Sequence, residues 1–265
     1  MKKRIIFYFV ILSIIIASSN RALWAAQPQI AVLLYHHVLP AKDSQAYANN
    51  GFVVSRESFA SQMEYLYENG YHTITSEELR SFLYDKKPLP PKSVMITFDD
   101  GYMSNYMFAY PILKQYGFHA VVFAITGNIQ NTDQDYHPDK LDMLSWLQIA
   151  ASSDVFEYGS HTNALHNIKN GKTDFVSATL DEAQADLQLS QKRIFNKEIF
   201  AYPSGQYDAQ LVDMLKNNGV DLAFTVNRGY VNAGSNPLLL NRVTVYASFD
   251  LATFGSVAAC QYVYD

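Results

Sequence analysis

The chain has 265 residues, 49% of them hydrophobic and only 17% charged, enough to bury one sizeable core within a single domain. Its formal net charge of −5 at neutral pH argues against nucleic acid as a partner. Cys260 is the only cysteine, which excludes an internal disulfide, a thiolate metal cluster and a lipid-accepting cysteine behind the leader.

In chain order, Lys2, Lys3 and Arg4 come first, followed by an uncharged run over 5–17. This is the basic and apolar pattern of a secretory signal, and the run is short for a membrane span. Ala17 and Ser19 suit a cleavage site, whereas Ala25 and Ala26 follow the bulky Leu23 and Trp24. Residues 1–26 are therefore read as a signal peptide or an N-terminal membrane anchor, and 27–265 as a single folded domain. Loss of residues 1–19 leaves 25 acidic against 17 basic side chains, a net charge of −8.

Beyond the leader, short apolar runs alternate with amphipathic segments. Strands are predicted at 29–35, 93–98, 119–125, 155–159, 198–201, 221–224 and 241–245, with a weaker one at 72–74. Helices are predicted at 58–69, 76–84, 105–116, 139–150, 180–195, 208–217 and 251–259. This succession of units predicts an α/β fold, a single distorted (β/α) barrel of about seven strands rather than an open doubly wound sheet. Chemistry in such barrels collects at the carboxyl ends of the strands. The polar connections 39–52 and 127–138 are candidate rims of a substrate groove, and equally readable as solvated insertions. The 19 Tyr and 16 Phe are read as core and strand filling in preference to a sugar-stacking surface.

Two motifs fall at strand ends. Thr97-Phe98-Asp99-Asp100-Gly101 closes the strand from 93, and Gly159-Ser160-His161-Thr162-Asn163-Ala164-Leu165-His166 closes the strand from 155. Neighbouring residues in mid-strand face opposite ways, so Asp99 and Asp100 can share a site only where the strand ends, with Gly101 freeing the turn. His161 and His166 lie about 140° apart on an ideal helix but can converge from a strand end and its turn. Three ligands for a zinc-like ion, with one carboxylate left as a base, amount to hydrolase chemistry. Thr162 is read as making a local turn hydrogen bond.

With Phe200-Ala201-Tyr202-Pro203-Ser204-Gly205, these motifs resemble the first three of the NodB-type polysaccharide deacetylases, carbohydrate esterase family four. Within that family the chain is similar to the intercellular-adhesin type of poly-β-1,6-N-acetylglucosamine N-deacetylase. Leu33-Leu34-Tyr35-His36-His37-Val38, the five-residue histidine spacing and Ala201 in place of the usual Arg carry that likeness, which spans about residues 30–245. The resemblance implies that Asp100, His161 and His166 hold a divalent metal, zinc first with cobalt or nickel as alternatives. It also implies that Asp99 is the general base for a metal-bound water, and that Ser204, through its backbone N–H, helps to stabilise the oxyanion.

The chain departs from the family where Leu240-Asn241-Arg242 replaces a Leu-x-His motif. The usual proton donor is then missing; His36 is read as its replacement, and His37 as structural. Arg242 is read as a substrate binder or as the residue orienting Asp99, and Tyr202 and Tyr207 as groove-lining or rim-packing residues. Asp208 is read as a helix cap, and Trp146 as a packing residue that could also meet polymer or membrane. The chain has no Gly-rich phosphate loop and no Gly-x-Ser-x-Gly elbow. These features together imply a bacterial exported monomer, secreted or held at the cell surface. Its expected reaction is deacetylation of extracellular poly-N-acetylglucosamine, with a membrane surface as an optional contact. The alternatives are a chitooligosaccharide or peptidoglycan deacetylase and a non-catalytic polysaccharide-binding barrel. A glycosidase is disfavoured, because its two carboxyls must flank the scissile bond about 5 Å or more apart.

Overall fold

The computed structural model describes residues 29–263, so the predicted leader lies outside the described residues. Seven parallel strands close into a barrel: β1 (Ala31–Tyr35), β2 (Ser93–Asp100), β3 (Ala120–Ala124), β4 (Phe156–Ser160), β5 (Ile199–Ala201), β6 (Leu222–Arg228) and β7 (Leu240–Thr244). They run in that order around the ring, and β1 pairs with both β7 and β2. The barrel is distorted. A single residue pair, Phe200 with Ser160, joins β4 to β5, and the register slips between Phe224 and Arg228 of β6. A two-residue strand, His72–Thr73, extends the sheet beside the lower half of β2.

Side-chain alternation explains both core layers. Val32 of β1, Met95 of β2, Phe123 of β3, Phe224 of β6 and Leu240 of β7 fill the barrel, while Leu33, Ile96, Val122 and Val243 face the surrounding helices. On β2 the inward parity of Met95 continues through Thr97 to Asp99, and on β7 that of Leu240 continues to Arg242. An acid and a base are thereby directed into the same upper layer of the barrel.

The helices begin where capping chemistry satisfies their free N–H groups. Those flanking the barrel are α1 (Arg56–Glu68), α2 (Ser76–Tyr84), α3 (Tyr110–Tyr116), α4 (Trp146–Ala151), α5 (Leu180–Arg193), α6 (Ala209–Asn217) and α7 (Leu251–Ala258). Thr75 with Glu78, and Thr179 with Glu182, form capping boxes at α2 and α5. Asp208 caps α6, in agreement with its sequence context. The predicted helix at 139–150 is shorter than expected. Met143 forms a bridge to Tyr102, and the helix starts after Ser145, whose capping box with Gln148 is the Ser-x-x-Gln signal that the periodicity had overridden. The predicted helix at 105–116 opens with a π-helical turn, Asn105–Ala109, before α3.

Candidate active site

The carboxyl ends of β2, β4, β5 and β7 converge on one cluster. Asp99 is 2% exposed, and both of its oxygens accept from the guanidinium of Arg242 at 2.7 Å. Arg242 also donates from Nε to the Thr225 carbonyl at 2.8 Å, and it lies over the Phe123 ring. Burial alone would raise the pKa of Asp99, but the guanidinium, helped by His161, outweighs it and holds the carboxyl below its ordinary range. Asp99 is thus held ionised inside an apolar barrel.

Asp100 escapes the strand alternation through its backbone. Its φ of 74° and that of Gly101, 84°, make two successive left-handed residues, so the carboxyl turns back toward the site its neighbour faces. The turn thus begins at Asp100 itself, one residue before the glycine that the sequence suggested. Gly101 is needed on two counts, since a Cβ there would also lie 3.1 Å from that of Ala124.

His161 follows β4 directly. Its Nδ1–H donates to the Ala201 carbonyl at 2.7 Å, which leaves the Nε2 lone pair aimed at the cluster. Burial lowers its pKa to about 4, with Asp99 and Asp100 offsetting only part of that effect, so the ring is neutral and ligand-competent. His166 returns from the loop to place Nε2 at 3.2 Å from Asp100 Oδ1 and 3.1 Å from His161 Nε2. Burial lowers the His166 pKa, but the hydrogen bond and charge of Asp100 reverse the balance and raise it. For Asp100, burial acts the other way and raises the pKa, but the histidines, His166 first, drive it far down.

One ligand atom each from Asp100, His161 and His166 lies within 4.8 Å of the others. Two imidazole nitrogens and a carboxylate oxygen facing one another so closely, with His161 fixed as an acceptor, fit a divalent cation such as zinc. The loop between the histidines is clamped from behind by α5. Asp186 accepts from the N–H groups of Asn163 and Ala164 at 2.7 Å each, and Arg193 donates to Asn163 Oδ1 at 3.0 Å. Neither α5 residue was singled out from the sequence, because nothing near the motif points to a helix twenty residues on.

The remaining expected residues divide. His36, just past β1, and Ser204, exposed with a φ of 51°, line one cleft, and His36 stands near enough to Asp99 and Asp100 to act on their charges. His37 is buried, stacked on Tyr102 and hydrogen-bonded to Ser104 at 3.0 Å; burial lowers its pKa to about 3, in keeping with a structural role. Tyr202, read as groove-lining or rim-packing, is wholly buried, with its hydroxyl donating to the Leu238 carbonyl and its ring packed inward on Phe200, so it does not face the groove. Arg242, one reading of which was substrate binding, is likewise fully buried, and its hydrogen bonds go to Asp99, Thr225 and Thr97. Thr162 sits at a φ of 70°, and its hydroxyl, like His36 Nδ1 and His37 Nε2, is buried without a partner among the described residues. Such orphaned polar atoms fit a site that makes its last hydrogen bonds to ligand or water. Trp146 is partly buried against the helix-facing core.

Known proteins are similar to this chain in sequence and fold. The family profile described as "Polysaccharide deacetylase" matches residues 86–223. A Poly-beta-1,6-N-acetyl-D-glucosamine N-deacetylase of Staphylococcus aureus (strain MSSA476) is 32% identical over 204 residues, 73% of this chain and 68% of the relative. The structure of IcaB from Ammonifex degensii superposes with a TM-score of 0.73 at 28% identity, covering 89% of this chain and 99% of that one. That of the Streptococcus pyogenes deacetylase PplD, solved with acetate, gives 0.75 at 23% identity over 88% of this chain and 99% of that one, a likeness of fold. With its barrel, its paired aspartates and its two histidines all in place, the chain belongs to the polysaccharide deacetylase family.

Proposed function

We propose that the protein is a metal-dependent hydrolase that removes N-acetyl groups from extracellular poly-β-1,6-N-acetyl-D-glucosamine. The observation that carries this reading is Asp99, held ionised by Arg242 beside the Asp100, His161 and His166 cluster. The choice of substrate rests on the named activity of the Staphylococcus aureus relative. The basic and apolar segment at the start of the chain supports action outside the cell membrane, and no helix among the described residues is long and apolar enough to cross one.

Asp100, His161 and His166 would hold the cation, and zinc is the metal their donor set suits best. A divalent ion bound there supplies Lewis acidity, polarising the acetamide carbonyl and making a water easier to deprotonate. Asp99 takes that water's proton on a carboxylate oxygen as the new C–O bond forms, and the buried Arg242 keeps it ionised for the task. Ser204, at the mouth of the cleft, offers its backbone N–H to the developing oxyanion. His36 gives a proton to the nitrogen as the C–N bond breaks, so acetate leaves and the sugar keeps a free amine. The Leu240-Asn241-Arg242 segment has thereby exchanged a proton donor for a residue that tunes the base.

The test is acetate release by the metal-loaded protein from β-1,6-linked N-acetylglucosamine oligomers, with chitin oligomers and peptidoglycan in parallel. Release from the β-1,6 oligomers in preference to the others is expected. Release only from chitin or peptidoglycan would keep the reaction and overturn the substrate.

A further inference from the structure

Tyr102 follows the turn that carries Asp100 into the site, and its surroundings fix where it stands. Its backbone forms an antiparallel bridge with Met143, flanked by the Leu144 N–H donating to the Gly101 carbonyl at 2.9 Å and the Met103 N–H donating to the Asp142 carbonyl at 2.8 Å. Its ring stacks on His37 with 3.5 Å between centroids and 28° between planes. His37 is itself held: it is 3% exposed, hydrogen-bonded to Ser104 at 3.0 Å, and part of the short strand His37–Leu39 that pairs with Val53–Ser55.

The phenol hydroxyl of this side chain hydrogen-bonds Asp100. The contact spans two residues, and it depends on the successive left-handed φ angles of Asp100 and Gly101, 74° and 84°, which fold the chain back over its own carboxylate. Burial first, and then the Asp100 charge, push the phenol far above its ordinary pKa, so it keeps its proton and meets the carboxylate only as a donor. Asp100 meanwhile presents Oδ1 to both histidines, 3.6 Å from His161 Nε2 and 3.2 Å from His166 Nε2. Of the three ligands, His161 is oriented by the Ala201 carbonyl, and the loop of His166 is clamped by α5. Tyr102 stands in the corresponding place for Asp100.

We propose that Tyr102 is a positioning residue of the metal site: its hydroxyl fixes the Asp100 carboxylate so that Oδ1 stays on the histidine nitrogens, and so sets how tightly the site holds a divalent cation. Outer partners of this kind are typically worth about 10–100-fold in metal affinity. The inference rests on the reading of Asp100, His161 and His166 as metal ligands and adds the residue that orients the carboxylate among them. It also gives the buried His37 a task, as the flat surface on which the Tyr102 ring rests.

The experiment measures, for the native full chain, Tyr102→Phe and Tyr102→Leu, the zinc affinity in competition with a chromophoric chelator, the visible spectrum after loading with cobalt, and thermal unfolding of the metal-free protein. Tyr102→Phe keeps the ring on His37 and removes only the hydroxyl, whereas Tyr102→Leu removes both. Tyr102→Phe is expected to weaken zinc binding about tenfold or more and to shift the cobalt bands, while its metal-free form unfolds within about 4 °C of the native one. Tyr102→Leu should weaken binding at least as much and unfold at a lower temperature as well. Native affinity and native cobalt bands in Tyr102→Phe would overturn the proposal. A drop confined to thermal stability would overturn it too, since that is the mark of a packing residue. In both cases zinc binding by the native chain leaves the metal reading in place. A native chain that binds no zinc overturns that reading, and this proposal with it.

Discussion

Replacing Arg242 with Met tests how the base is set. The guanidinium meets both oxygens of Asp99 at 2.7 Å, with side-chain exposures of 0% and 4%, so solvent cannot compensate for its loss. Removing one partner of so buried a pair costs about 3–5 kcal/mol, because a charge is left uncompensated. Methionine fills much of the vacated volume, so most of that cost is electrostatic and hydrogen-bonding in origin. The Thr225 carbonyl and the Thr97 hydroxyl lose a partner as well. In the native chain the depressed pKa of Asp99 contributes stability that is fully present above the unfolded value of about 3.9 and is lost as pH falls through the folded value. Without Arg242, burial drives that pKa up and the sign reverses, so the gap in stability between the native chain and Arg242→Met should narrow toward acid pH. A raised pKa also moves the acid limb of kcat/KM to higher pH, since the base must be ionised to act. Urea unfolding at neutral pH and near pH 4, with a pH profile of acetate release, measures both effects. A loss of less than about 1 kcal/mol together with an unmoved acid limb would refute the reasoning.

Asp186→Ala, which frees the N–H groups of Asn163 and Ala164, should lower metal affinity at least about tenfold in competition with a chromophoric chelator, while the far-ultraviolet spectrum is retained. His36→Gln should lower kcat by about 10²–10⁴-fold without reducing the metal bound per chain, as expected for a lost proton donor. Gly101→Ala places a side chain at a φ of 84° and 3.1 Å from Ala124 Cβ; thermal unfolding should report a loss of more than about 1 kcal/mol, with weaker metal binding.

The barrel was legible because its strands are short apolar runs and its helices carry their caps in sequence, as Thr75 with Glu78 and Thr179 with Glu182 illustrate. The inward parity of Met95, Thr97 and Asp99 likewise comes from strand geometry alone. The left-handed backbone of Asp100 was not legible, since an aspartate visits that region only occasionally and nothing local in the sequence marks where it does. Tyr202 was left between groove and rim because a tyrosine beside a motif reads either way, and only the packing of Phe200, Tyr202 and Leu238 turns it inward. The α5 clamp escaped because it joins segments far apart in sequence and has no local pattern.

The central claim is that Asp100, His161 and His166 hold a metal for a reaction in which Asp99 is the base. Metal content and acetate release from β-1,6-linked N-acetylglucosamine oligomers, measured together on the native chain and on Asp99→Asn before chelation, after it and after reloading, test it most directly. The account predicts about one ion per chain in both proteins, release by the native chain alone, loss of that release on chelation and its return with zinc. Turnover that survives chelation, or that persists in Asp99→Asn, would contradict it.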